Sequence, residues 1–258
     1  MASISIADLR AFANARFEEA SRTSTLIKFS AEARTKALNE GSLITNSLID
    51  DDEFADLPAG TGIGAWASIL AVDLRGSTRL ADSLGPRDTY RMMHTLMPTL
   101  AYCLQKMGAT NINLRGDGMF SGCCLTKVKS DHDEPEPYQQ IIANQQAIAA
   151  GLRTIDCVKM AVEPVIRNGD IQASLNVGVG IECGRITVTR IGWKSSQELT
   201  AYGSAVNHAN HLSGGTNVLR VGRTVWNMIP DSPDGRFRGA FIEDGIEVSS
   251  LDSPALIR

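Results

Sequence analysis

The run Trp66–Leu74, WASILAVDL, constrains the fold more than any other part of the chain. It is short, nearly continuous in apolar side chains and rich in small and branched residues, the pattern of a buried strand. RGST breaks the run at once, and Ser77 or Thr78 is placed to cap the helix that RLADSLGPRDTYRMMHTLMPTLAYCLQKMG begins. Gly85-Pro86 predicts a split of that stretch into two helices, the second ending near Gly108.

Two β signals come next. In ATNINLRGDGMFSGCCLT, Ile112 and Leu114 alternate on one side, a GDG turn succeeds them, and an apolar return completes a hairpin. KVKSDHDEPEPY reads as an exposed loop, and a helix is expected from about Gln139 to Ile166, with Pro164 near its end. SLNVGVGIECGRITVTRIG reads as a second hairpin with its turn at Cys183-Gly184. LTAYGSAVNHANHLS then reads as a short strand, a glycine turn and a helix, and TNVLRVGRTVWNMI as one more strand and a helical turn. This order predicts an α+β or α/β sandwich. The GVG at 178–180 is not a dinucleotide fingerprint, because no GxGxxG strand-to-helix turn is present.

Residues 1–62 predict a helical extension and linker ahead of a domain spanning 63–258. Ile6, Leu9, Phe12 and Phe17 fall at roughly helical spacings, and SLIDDDEFADLPAGTGIG has the acidic run, proline and small residues of a linker. With 25 Lys+Arg against 29 Asp+Glu, the net charge of −4 gives no support for a nucleic-acid binder. Five cysteines, odd in number and without CxxC spacing, fit a reducing, cytoplasmic compartment rather than a disulfide scaffold. No signal peptide is visible, and no run approaches the ~20 apolar residues of a membrane span.

The chemistry concentrates in Asp73 and Asp117. Asp73 ends the buried strand just before a small-residue turn; Asp117 stands at a hairpin tip between Gly116 and Gly118. Two carboxylates offered from neighbouring strand ends form a hard-oxygen arrangement suited to Mg²⁺ or Mn²⁺ bound together with substrate phosphates. The turn Leu74, Arg75, Gly76, Ser77, Thr78 is expected to offer backbone N–H groups at a helix N-terminus, an anion site for a triphosphate.

In these residues the sequence resembles the class III nucleotidyl cyclases. ILAVDLRGSTRLADSLGP resembles their first signature, NINLRGDGMFSG the metal-binding Gly-Asp hairpin, VGVGIECGRITVTRIG the hairpin after it and LTAYGSAVNHANHLS the Gly-x-x-Val-Asn helix start. The resemblance covers about residues 66 to 228, with all four blocks in family order, and implies an α+β sandwich with a central, mostly antiparallel sheet and flanking helices. It implies that Asp73 and Asp117, with Leu74 beside them, hold two metal ions for in-line attack of the ribose 3′-hydroxyl and loss of pyrophosphate. It also implies that Asn207 orients the ribose, and that the chain works as a head-to-tail homodimer with composite sites.

Departures from the family pattern bear on specificity. Adenylate cyclases carry lysine, and guanylate cyclases glutamate, four residues before the Gly-Asp aspartate; this chain has Asn113. The partner position, usually aspartate or cysteine, is Thr200. Strand alternation places Asn113 and Arg115 opposite Ile112 and Leu114, so the amide is expected to point toward a ligand. An amide reads donor and acceptor edges alike, which leaves uracil, cytosine and adenine open. His211 replaces the family arginine that steadies phosphate charge, with Arg75, Arg115 and Arg190 as candidate substitute cations, and GIEVSSLDSPALIR lacks the triphosphate lysine. A compact cyclase with neither purine code resembles the bacterial Pycsar pyrimidine cyclases. That resemblance implies conversion of UTP to cyclic UMP with Mn²⁺ or Mg²⁺ in antiphage signalling through a separate effector protein. Cytidylate or adenylate cyclase, or a degenerate nucleotide-binding signalling protein, remain the alternatives.

Overall fold

A computed structural model describes residues 3–24, 54, 57–130, 133–193, 196–229 and 247–248. In chain order the elements are α1 (Ile6–Ser24), β1 (Gly62–Leu74), α2 (Ser77–Lys106), β2 (Ala109–Arg115), β3 (Gly118–Lys127) and α3 (Pro137–Asp156). A π-helical turn (Cys157–Val162) and α4 (Glu163–Asn168) continue from α3. Then come β4 (Val177–Trp193), β5 (Ser196–Tyr202), α5 (Ser204–Leu212), β6 (Val218–Val221), α6 (Arg223–Met228) and the short β7 (Glu247–Val248). The strands form one sheet in the order β2-β3-β1-β4-β6-β7, with β5 paired to β4; among these described strands the β4–β6 pairing is parallel and the others are antiparallel. The expected α+β sandwich is therefore the observed one.

β1 lies in the middle, hydrogen-bonded to β3 on one side and to β4 on the other. Its lack of polar alternation is explained by burial on both faces. Trp66, Leu70, Val72 and Leu74 enter a large core shared with α1, α2, α3 and the π-turn, whereas Ala65, Ala67, Ile69 and Ala71 enter a second core under α5. Small residues dominate the second face because α5 sits close to it. Glycines 178 and 180 of β4 carry this approach furthest: a Cβ on Gly180 would lie 2.6 Å from the Ser213 nitrogen and 2.8 Å from the Leu212 carbonyl carbon. The GVG sequence is thus a packing device.

Helix α1 belongs to the same core. Leu9 and Ala13 are fully buried, Phe12 stacks on Tyr102 with ring centroids 4.3 Å apart, and the Arg91 guanidinium lies 4.5 Å from the Phe17 ring centroid. The linker expected after it falls mostly outside the described residues.

Three expectations are corrected. The turn at Cys183-Gly184 does not exist: β4 runs straight through, with Cys183 opposite Ser68 and Gly184 opposite Ala67, and its hairpin partner β5 begins only at Ser196. Pairing with β1 along 13 residues outweighs the local turn signal of one glycine. The helix after the first strand is not capped by Ser77 or Thr78: Gly76 is the N-cap, with a φ of 70° that a residue lacking Cβ adopts without strain, and no side chain caps the end. The single helix expected from Gln139 to Ile166 is α3, a π-turn and α4. Pro164 supplies no N–H and disrupts the α-helical ladder near this point. The Gly85-Pro86 split is confirmed, Gly85 standing at φ 72°, ψ 171° within α2.

Candidate active site

Asp73 comes two residues after Ala71 on the α5 side of β1, one residue from the strand end and beside the C-terminal end of α5. Across the ladder it pairs with Gly118, and the Leu74 amide donates to the Asp117 carbonyl over 3.2 Å, so the two aspartates are adjacent at the strand ends. Gly118 keeps this corner open, since a Cβ there would stand 2.7 Å from the Val72 carbonyl oxygen and 3.6 Å from Asp73 Oδ1. A cleft of about 350 Å³ opens beside Asp73, lined on the sheet side by Val72, Gly118, Met119 and Phe120 and on the other by Asn210, Ser213 and Gly214 at the end of α5.

Burial holds the Asp73 carboxyl above its ordinary pKa, and the charge of Asp117 adds to the effect; the Arg75 guanidinium, which donates to Asp73 Oδ2, opposes it. Arg75 is thus the side-chain cation set against Asp73, with the charge of Asp117 close enough to act on the same carboxyl. Among the described residues no three His, Cys, Asp or Glu gather as a closed metal cage. Paired carboxylates with room for other oxygens suit a hard divalent ion that completes its shell with waters and phosphate oxygens. The Leu74 side chain is buried in the core, so only its backbone faces the corner.

The turn expected to hold phosphate offers fewer free N–H groups than the sequence suggests. The Leu74 N–H goes to Asp117 and the Arg75 N–H to the Asn176 carbonyl over 2.8 Å, so both are spent within the protein. Gly76, Ser77 and Thr78 remain at the helix start, where backbone N–H groups lack intrahelical partners.

Asn113 shares a face with Phe120 and Ala71, its cross-strand neighbours, and hence with Asp73. It does not project freely toward solvent: it is 1% exposed, and its Nδ2 donates to Glu198 Oε1 and, over 3.3 Å, to the Leu199 carbonyl. Both neighbours are acceptors, which fixes the amide's orientation and leaves Oδ1 buried without a partner. Glu198 escapes sequence reasoning because it lies in a polar stretch that matches no motif. Thr200 is likewise buried. The Arg115 side chain lies outside the described residues, and Arg190 donates to the Leu57 carbonyl over 2.8 Å. Asn207 and His211, one turn apart on α5, are exposed and stand outside the lining of the Asp73 cleft.

Residues 65–225 match the family model described as the adenylate and guanylate cyclase catalytic domain. The chain belongs to this family. A curated adenylate cyclase from Anabaena cylindrica is 22% identical over 213 residues, which are 80% of this chain and 39% of that protein. The chain therefore spans about two-fifths of the length of that relative. The adenylyl cyclase CyaB from P. aeruginosa superposes with a TM-score of 0.54 at 18% identity, over 65% of this chain and 82% of that one. A class III adenylyl cyclase-like ATP-binding protein from Pseudomonas aeruginosa gives 0.64 at 16% identity, over 83% of this chain and 44% of that one. At such identities the likeness to the solved structures is one of fold. Cyclases of this family work with divalent metal ions, and the Asp73–Asp117 corner has the donor set for them. The five cysteines are free thiols, four buried and Cys124 exposed, and no described helix is long and apolar enough to cross a membrane.

Proposed function

We propose that the chain is a pyrimidine nucleotidyl cyclase that converts UTP to 3′,5′-cyclic UMP and pyrophosphate. The observation that carries the reading is the adjacency of Asp73 and Asp117 at one open corner, where the charge of Asp117 acts on the Asp73 carboxyl and Arg75 pairs with it. Divalent ions bound there, Mn²⁺ or Mg²⁺, would neutralise the phosphates and favour the alkoxide form of the 3′-hydroxyl. The 3′-oxygen bonds to the α-phosphorus, the bond to the β-phosphate bridge breaks, and the hydroxyl proton leaves with pyrophosphate as the second product. Gly76, Ser77 and Thr78 hold phosphate oxygens through their amides, and Asn207 orients the ribose.

Specificity is assigned to Asn113 and Thr200, which stand where neither purine code is present. With both amide hydrogens engaged, Asn113 keeps a bare acceptor; the N3–H of uracil suits it, as do the amino groups of cytosine and adenine. Resemblance to the Pycsar cyclases favours uracil, and with it a role in bacterial antiphage signalling, in the cytoplasm, through a separate effector that reads the cyclic nucleotide. Asn207 and His211 are exposed and do not line the Asp73 cleft of their own chain, which favours a head-to-tail homodimer in which each site draws on both copies.

The test is a product assay with each of UTP, CTP, ATP and GTP and Mn²⁺, resolved by mass spectrometry, on the wild type and on Asp73→Ala and Asp117→Ala. Cyclic UMP that disappears in both variants while the oligomer persists supports the reading. Cyclic CMP or cyclic AMP as the main product keeps the chemistry and overturns the base assignment. A second reading, a nucleotide-binding module without turnover, is favoured by His211 in place of the family arginine. Binding of a non-hydrolysable triphosphate with no product from any substrate would establish it.

A further inference from the structure

The π-turn contributes no side chain to the cleft beside Asp73, yet a polar network joins the two. Lys159 lies in that turn with its side chain 21% exposed, and its three ammonium hydrogens meet three acceptors: Glu163 Oε2 at 2.8 Å, the Leu175 carbonyl at 3.0 Å and Asn176 Oδ1 at 3.4 Å. Glu163, itself 8% exposed, also accepts from Arg167 at 2.5 Å and from the Leu175 amide at 3.1 Å. The Lys159–Glu163 pair thereby clamps both backbone groups of Leu175. The next residue, Asn176, is held a second time by Asn217 Nδ2 at 2.7 Å, and its carbonyl receives the Arg75 amide. Arg75 in turn pairs with Asp73.

The far end of the network is α1. Pro164 has no N–H to give to the Met160 carbonyl one helical turn back. Arg10 of α1 donates to that carbonyl instead, through Nη2 at 2.6 Å and Nε at 3.2 Å. Docking of α1 is thus tied to the segment that carries Lys159, and the π-turn is the kind of helix irregularity that recurs near functional sites.

We propose that Lys159 is a positioning residue for the catalytic corner: through Leu175 and Asn176 it fixes the Arg75 amide, and so the turn on which Asp73 presents its carboxylate, with Arg10 of α1 holding the π-turn in place. Lys159 touches neither substrate nor metal in this scheme. The proposal rests on the reading of Asp73 as a metal ligand.

The experiment uses the full chain and two readouts that do not require turnover. Backbone hydrogen exchange is monitored across residues 74–78, and Mn²⁺ affinity is measured by titration calorimetry, for the wild type, Lys159→Met and Asn176→Ala. In Lys159→Met the Arg75 amide should exchange about tenfold faster or more, as expected when a hydrogen-bonded contact loosens. Mn²⁺ affinity should fall by about 10- to 100-fold, the range seen for residues that hold metal ligands in place. Lys159→Arg, which keeps charge and donors, should recover much of both. Unchanged exchange at Arg75 and unchanged Mn²⁺ affinity in a folded Lys159→Met protein would overturn the proposal. Should that variant fail to fold, Asn176→Ala decides by the same two measurements. If the wild type binds Mn²⁺ with an affinity indifferent to Asp73→Ala, the metal reading of Asp73 falls, while exchange at Arg75 still reports whether Lys159 holds the turn.

Discussion

Gly180→Ala tests whether the close seating of α5 on β4 builds the cleft. The added methyl would stand 2.6 Å from the Ser213 nitrogen and 2.8 Å from the Leu212 carbonyl carbon, and nearer still to the Ala209 carbonyl oxygen. All three are backbone atoms, so no rotamer change relieves the clash. Non-bonded contacts settle near 3.5–4.0 Å, so the end of α5 must retreat by roughly 1 Å. Overpacking of this kind costs about 1–3 kcal/mol. At about 2–4 °C per kcal/mol for a chain of this size, Tm should fall by about 2–12 °C. The retreat also displaces Asn210, Ser213 and Gly214, which form one wall of the Asp73 cleft. A misplacement of about 1 Å can cost about 100-fold in rate, so turnover should drop more steeply than stability. Scanning calorimetry and the product assay measure the two effects. Gly214→Ala serves as the stability control, because its methyl would meet nothing closer than the His211 carbonyl oxygen at 3.6 Å. A Gly180→Ala protein with the Tm and turnover of the wild type would refute the claim that backbone contact at this glycine sets the position of α5.

Asp117→Ala should lower Mn²⁺-dependent product formation by more than about 100-fold, the upper end for residues that merely support a metal ligand, with little change in Tm. Asp73→Asn should abolish activity yet raise Tm at neutral pH. Burial and Asp117 lift the folded-state pKa above the unfolded value, so protonated Asp73 favours the fold at low pH, and that contribution is lost as pH rises through the raised pKa; asparagine removes the loss. The same shift predicts that Mn²⁺ affinity declines on acidification from a higher pH than an ordinary aspartate would give, which titration calorimetry across a pH series can check. Asn113→Ala should alter the ranking of UTP, CTP, ATP and GTP in the product assay; an unchanged ranking would remove Asn113 from base recognition. Mixing Asp73→Ala with Asn207→Ala protein should restore about a quarter of wild-type activity if each site draws on two copies, because half the dimers are mixed and each of those has one intact site.

Legibility of the sequence depended on whether local and tertiary demands agreed. β1 was legible because burial on both faces suppresses alternation, and Asp73 and Asp117 were legible because each breaks an apolar pattern at a strand end or a hairpin tip. Cys183-Gly184 misled because a glycine after a polar residue signals a turn, whereas β1 supplies a ladder long enough to keep β4 extended through it. The π-turn was hidden for a related reason: Pro164 suggests a helix ending, but α1 donates to the carbonyl that proline leaves free, so the chain continues. Glu198 and Lys159 were invisible, being ordinary polar residues whose roles arise from partners 85 and 17 positions away. At Asn113 the same division bears on function. Alternation put it on the correct face, but only the packed structure reveals that Glu198 and Leu199 take both amide hydrogens, turning a side chain able to read either edge of a base into an acceptor alone. In the proposed recognition of the base by Asn113, the base must then bring the donor, and a scheme in which Asn113 donates conflicts with both of these hydrogen bonds.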